Sequence, residues 1–172
     1  MCVFPKDFLY NSAEPERYPF LRCHDGTWDT ERFDVDYFGN LDRRVAELDG
    51  PGIQADIILF HPYDDRWGFS RLGPAVDERY LRYVVRRLSA YPNVWWSFAN
   101  EYELLTTKRP EDWERIAATV RAEDHVNHLL SIHNWSEPFD YTAAWATHCS
   151  IQWVAASLVS EWTSGAGGGA SR

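Results

Sequence analysis

Short, unbroken apolar runs alternate along this chain with segments of helical spacing, and that alternation limits the fold more than any other feature. Ala55 to Phe60 (ADIILF) and Val94 to Ala99 (VWWSFA) are the strongest runs. Apolar residues at successive positions face both sides of a strand, so each run predicts a strand covered on both faces, the usual state in a parallel sheet. Asp34 to Leu48 has apolar residues at 35, 38, 41, 45 and 48, which is helical spacing, with Asp34 as N-cap and Gly50-Pro51-Gly52 as terminator. Asp77 is read as the cap of a second helix that carries Leu81, Val84, Val85 and Leu88 on one side and stops at Pro92-Asn93. Pro110 opens a third, with Trp113, Ile116, Ala117 and Val120 facing inward. Met1 to Phe4, Leu129 to Ile132 and Thr147 to Trp153 read as further strands, and Val154 to Trp162 as a weak helix. Residues 5–33 and 61–76 read as long loops of functional type. Residues 1–162 would form one domain and 163–172 a flexible Gly/Ser tail. The order predicts βαβ units and a parallel sheet.

Composition excludes several function classes. A net charge of −9 is unsuited to a phosphate backbone, so nucleic acid is not an expected partner. Arg82, Arg86 and Arg87 read as the solvated face of the second helix. No apolar run is long enough to span a membrane, and no basic n-region with an apolar stretch leads the chain, which favours a cytoplasmic location. Cys2, Cys23 and Cys149 show no metal-binding spacing and read as reduced thiols, Cys149 as a small core residue. No GxSxG elbow, GxGxxG loop or P-loop is present. Aromatic residues make up 16% of the chain. Several lie among charged residues, as in His61-Pro62-Tyr63-Asp64-Asp65-Arg66-Trp67. Such clusters suit sugars, whose C–H faces stack on rings while carboxylates and amides bind hydroxyls.

Ligands of parallel α/β folds bind at the carboxyl ends of the strands. Glu101 follows VWWSFA there and is the first candidate for a catalytic group. An apolar strand end partly desolvates a carboxyl and favours its protonated form, which a general acid needs. Asn100 beside it offers an amide to a hydroxyl or to the carboxylate. Glu103 is a second carboxylate or, more simply, a rim residue. Asp64 and Asp65 either bind hydroxyls or pair with Arg66. His61, His133 and His148 also fall at strand ends. They read as hydrogen-bonding groups for substrate, with a metal-dependent hydrolase as the rival reading. His24, His125 and His128 read as surface or loop residues.

The stretches MCVFPKDFLYN, ADIILFHPYDDRWGFSRLG, RYLRYVVRRLSAYPNVWWSFANEYELL, LLSIHNW and ATHCSIQW resemble the apiosidase-like glycoside hydrolases over about residues 1–153. The resemblance implies a TIM barrel, here a partial (β/α)8 barrel of approximately strands two to six. It makes Glu101 the acid/base, and Asn100, His61, Asp64, Trp67, His133, Asn134 and His148 the lining of the sugar subsites. It implies a carbohydrate substrate, no cofactor and no bound metal. The family's second catalytic carboxylate follows strand seven, and Glu161 does not match it. A whole barrel takes about 250 residues, so the chain is expected to be truncated at both ends and to self-associate through unpaired sheet edges. Two outcomes follow from the resemblance: a glycosidase, or an inactive truncated or vestigial module that still binds carbohydrate.

Overall fold

The computed structural model describes residues 1–8 and 11–152. Its elements are β1 (Phe20–Arg22), β2 (Trp28–Phe33), α1 (Val35–Asp49), β3 (Ala55–Phe60), α2 (Pro74–Leu88), β4 (Val94–Ala99), α3 (Pro110–Glu123) and β5 (Leu130–Ser131). Single 3₁₀ turns lie at Phe69–Arg71 and Tyr102–Leu104. Strands β3, β4 and β5 form a parallel sheet in that order, with Ala55 opposite Val94 and Trp96 opposite Leu130. The α/β alternation read from the sequence is therefore present. The expected helix 154–162, the tail and Glu161 lie outside the described residues.

Two expected strands are reduced to single bridges at the margins of this sheet. Cys2 bridges Ile58 in parallel sense, and His133 bridges Ser150. The first segment is cut short because Pro5 cannot donate to a ladder. The 5–33 segment is not all loop, since β1 and β2 pair as an antiparallel hairpin. The sequence WDTERF hides this strand because its outward positions are charged. The pairing rests on the Phe20 and Phe33 rings, whose centroids are 5.2 Å apart, and on Asp25, which accepts a 2.9 Å hydrogen bond from the Thr27 N–H in the turn.

Alternate sheet residues Ala55, Ile57, Leu59, Val94, Trp96 and Phe98 are buried with the inner faces of the helices, including Phe38, Val45, Leu81, Val85, Ile116 and Val120. Each large apolar side chain buried in this way contributes about 1.5–3 kcal/mol. Helix α1 begins as expected, with the Asp34 carboxylate accepting from the Asp36 and Tyr37 N–H groups. Helix α2 begins four residues before the expected start. Gly73, at φ 87°, holds the cap position and Pro74 opens the first turn.

Asp77 is therefore no cap. It is buried on α2, with its carboxylate 2.7 Å from the Lys108 ammonium, both side chains under 5% exposed. Lys108 also lies 4.2 Å from the Phe60 ring centroid. Burial raises the Asp77 carboxyl, and Lys108 offsets only part of the rise. The arginines of α2 are likewise not merely solvated. Arg82 and Arg86 both grip Glu123 of α3, and Arg87 pairs with Asp42 of α1 at 2.6 Å. Cys149 is exposed rather than buried, and His128 is buried against Asp124 at 2.9 Å. Among the described residues no helix is long and apolar enough to cross a membrane.

Lys108→Met would leave Asp77 buried without its partner, and the expected loss is about 3–5 kcal/mol. Urea unfolding measures it. The double variant Asp77→Leu/Lys108→Met should recover most of the loss; a double variant as unstable as the single one would contradict the pairing.

Candidate functional site

Backbone pairing continues past the ends of the strands and brings the exit residues together. The Asn100 N–H donates to the Phe60 carbonyl at 3.0 Å, the His133 N–H to Ala99 at 2.9 Å and the Tyr102 N–H to His133 at 3.0 Å. His61, Asn100-Glu101, His133-Asn134 and Gln152 thus share one end of the sheet. That end is the carboxyl end of β3, β4 and β5.

Glu101 leaves β4 with φ 53° and ψ 58°, in the left-handed region. A residue with a Cβ pays about 1–3 kcal/mol for this conformation. The turn ends the strand and starts the 3₁₀ segment Tyr102–Leu104. Glu101 is only 8% exposed. The Tyr63 hydroxyl donates to its Oε2, and the Gln152 amide donates to Oε1 at 3.3 Å. Burial raises the Tyr63 phenol, and the adjacent Glu101 carboxylate raises it further, so Tyr63 keeps its proton. Lys6 stands 5.2 Å from the Tyr63 ring centroid, and Phe8 packs on the ring at 4.7 Å.

A second layer holds Gln152. Its N–H donates to the Asn134 side-chain oxygen at 2.9 Å, and its carbonyl accepts from the Asn134 amide at 3.0 Å. The His133 ring meets Gln152 Oε1 at 3.1 Å and Ser150 Oγ at 2.9 Å. If Nε2 of His133 donates, the Gln152 amide is oriented with its NH₂ toward Glu101. His133, Asn134, Gln152 and Glu101 therefore form one hydrogen-bonded chain.

The remaining expected site residues are placed differently. His61 is fully buried. Its Nε2 is 3.0 Å from the Phe4 carbonyl, and its Nδ1 accepts from the Tyr63 N–H at 3.1 Å. These partners fix the tautomer with the proton on Nε2 and leave no lone pair for a ligand. Asp64, 1% exposed, accepts from the Ser70 N–H at 2.7 Å. Trp67, 6% exposed, accepts at its carbonyl from the Trp28 indole at 3.0 Å. Both brace the 61–71 loop and present little surface to a ligand. Asp65 pairs with Arg71, and Arg66 with Glu14 rather than with either aspartate. The Asn100 amide makes no hydrogen bond to another described residue. His148 is half-buried and meets the Trp95 ring, 5.4 Å between ring centroids. Among the described residues no group of three metal-ligating side chains gathers, so His61, His133 and His148 do not form the set a metal-dependent hydrolase needs.

Glu103 is occupied elsewhere. Its two oxygens accept from the backbone N–H groups of Trp135 (2.7 Å), Ser136 (3.0 Å) and Glu137 (2.8 Å). A cleft of about 520 Å³ opens beyond it, lined by Tyr102, Leu105, Lys108, Trp113 and Phe139.

A family model described as the apiosidase-like catalytic domain matches residues 7–160. The chain belongs to the apiosidase-like family. Comparison with curated proteins finds no match. A Bacteroides vulgatus crystal structure, described as a candidate glycoside hydrolase, is 42% identical and superposes with a TM-score of 0.82, covering 88% of this chain and 32% of that one. A second structure, named only as a glycoside hydrolase, is 14% identical with a TM-score of 0.58 over 88% and 33% of the two chains. A glycoside hydrolase family 5 structure from the same organism is 16% identical with a TM-score of 0.58 over 78% and 31%. These last two show likeness of fold alone. The chain spans about a third of the length of each of these structures.

For this apiosidase-like chain, the sequence reading missed Tyr63 and Gln152, the two side chains that hydrogen-bond to Glu101 among the described residues. Tyr63 stands inside the quoted HPYDDRW block and was legible as a polar-tipped aromatic at a strand exit. Gln152 stands directly before the closing Trp of ATHCSIQW, the position that Asn134 has in LLSIHNW.

His61 generates a pH test. Burial lowers its pKa from 6.5 to about 4. Between those values the unfolded chain binds a proton that the folded chain refuses, so the contribution is complete above 6.5 and is lost as pH falls toward 4. The loss amounts to about 3 kcal/mol at most. Urea midpoints stepped from pH 7 to 5 should fall, and the slope should flatten in His61→Gln. Parallel slopes would show that another group carries the effect.

Proposed function

We propose that the chain carries the acid/base half of a glycoside hydrolase acting on O-glycosidic bonds of carbohydrate, on a sheet that is part of a (β/α)8 barrel. Family membership and the likeness to glycoside hydrolase structures support the reaction class. The parallel run from the Cys2 bridge through β3, β4 and β5 to the Ser150 bridge supports the barrel segment. The observation that carries the reading is Glu101 itself. A carboxyl group held in a strained turn at the carboxyl end of a parallel strand, and gripped on both oxygens, is a preorganised group.

In this reading protonated Glu101 gives its proton to the glycosidic oxygen while a second carboxylate, which the described residues do not supply, attacks the anomeric carbon and the C–O bond breaks. As a carboxylate it then takes a proton from the water that completes hydrolysis. Tyr63 suits both stages, because a hydroxyl donates to the carboxylate and can turn to accept from the acid. Asn100, whose amide no described residue claims, would bind a sugar hydroxyl. The second carboxylate of a retaining mechanism sits about 5–5.5 Å from the first. Glu103 does not fit that role, because three backbone donors already hold it.

That commitment of Glu103 favours a second reading, in which this length of chain binds carbohydrate without turning it over. Purified chain and its Glu101→Gln variant, assayed on a panel of aryl glycosides with good and poor leaving groups, separate the two. As the acid, Glu101 is worth about 10²–10⁴ in turnover. The loss on substitution should be large for poor leaving groups and small for good ones. Equal loss for both would sink the acid role. Absence of turnover in a folded chain that still binds saccharide would support the second reading.

A further inference from the structure

Trp135 is the exposed tryptophan among the described residues. Its side chain is 43% exposed, whereas Trp28, Trp67, Trp95, Trp96, Trp113 and Trp145 are buried or half-buried. It meets no other aromatic ring among the described residues. A large apolar ring in water is unfavourable, and tryptophan is on average a highly buried residue. An indole exposed on a loose loop would need no explanation.

This loop, however, is secured on both sides of the ring. Immediately before it, Asn134 is locked by two hydrogen bonds to the backbone of Gln152. At the ring and after it, the three successive N–H groups of residues 135, 136 and 137 converge on the Glu103 carboxylate. The Tyr102 hydroxyl reaches the Glu137 carbonyl at 3.4 Å. Burial acts to raise the Glu103 carboxyl, but the backbone donors outweigh it and hold it below the ordinary glutamate value. The carboxylate therefore stays charged and keeps its grip at neutral pH.

The backbone that carries the ring is thus held in place, at the functional end of the sheet. Asn134, its neighbour, holds Gln152, and Gln152 donates to Glu101. A pyranose or furanose ring presents an apolar C–H face that stacks on an indole.

We propose that Trp135 is a sugar-stacking platform beside Glu101, and that Glu103 is the positioning residue that holds it in place. The proposal rests on the carbohydrate reading of the site and names a subsite within it. It also gives Glu103 a role that needs no contact with the reacting atoms.

The test is saccharide binding by isothermal titration calorimetry on the full 172-residue chain, with cello-, xylo- and galacturono-oligosaccharides as the probes. Trp135→Ala should weaken binding of a recognised saccharide about tenfold or more, and Trp135→Phe should restore it to within about threefold. Glu103→Gln should weaken it by a smaller factor with little change in the unfolding midpoint. A readout on the unmodified chain runs beside these: N-bromosuccinimide oxidises exposed indoles, and bound saccharide should protect residue 135 in peptide maps. Binding that is unchanged in Trp135→Ala, or saccharide that leaves residue 135 unprotected, overturns the platform and leaves the Glu101 reading standing. A wild-type chain that binds none of the probes overturns both.

Discussion

Everything at the candidate site depends on a parallel backbone ladder that does not stop where the strands stop. Slanted N–H to carbonyl bonds join β3 to β4 and β4 to β5. The same pairing runs on through Asn100 to Phe60, His133 to Ala99 and Tyr102 to His133. Because all the strands point the same way, every chain exit lies at one end. Residues from positions 61, 101, 133 and 152 become neighbours although they are up to 91 positions apart in sequence. Shifting one strand by one residue would send its own contribution to this group to the opposite face. The covered face of the sheet, with Trp96 and Phe98 packed under the helices, is what makes such a shift costly.

On this frame the polar groups divide into two layers. The outer one is the carboxyl group of Glu101 with its two donors. The inner one consists of His133, Asn134 and Gln152, which satisfy one another and so set the direction of the amide that faces Glu101. Buried networks of this kind specify a single arrangement when complete and are costly when incomplete. His61 belongs to neither layer. Its ring ties Phe4 and the 61–63 turn together, and through them the Tyr63 side chain that reaches Glu101.

Much of the fold was legible because it follows from periodicity. ADIILF and VWWSFA could hardly be other than covered strands, and the apolar spacing placed the inner face of α3 and, apart from Val35, which is 64% exposed, that of α1. Asp34 and Pro110 marked helix starts because caps and first-turn prolines are local devices. The hairpin Phe20–Phe33 was not legible, because a strand with charged outward positions and a bulge lacks a clean alternation. Asp77 looked like a cap because its partner Lys108 is 31 residues away, and a pair at that distance leaves no local pattern. The same limit hid the grip of Arg82 and Arg86 on Glu123. At the site, Glu101 was visible from its position after a strand. The burial of Asp64 and Trp67 was not visible, since a polar-aromatic loop reads alike whether its side chains face a ligand or each other.

The left-handed backbone at Glu101 has a consequence for how this chain tolerates change. Glycine or asparagine would sit more easily at φ 53° than glutamate does. In a screen for thermal resistance, that position would be among those where replacement improves the score. In a screen for catalysis, with Glu101 as the proposed acid, it should be among the least replaceable. Opposed preferences at one site mean that selection for robustness alone would erode the residue around which this end of the sheet is organised.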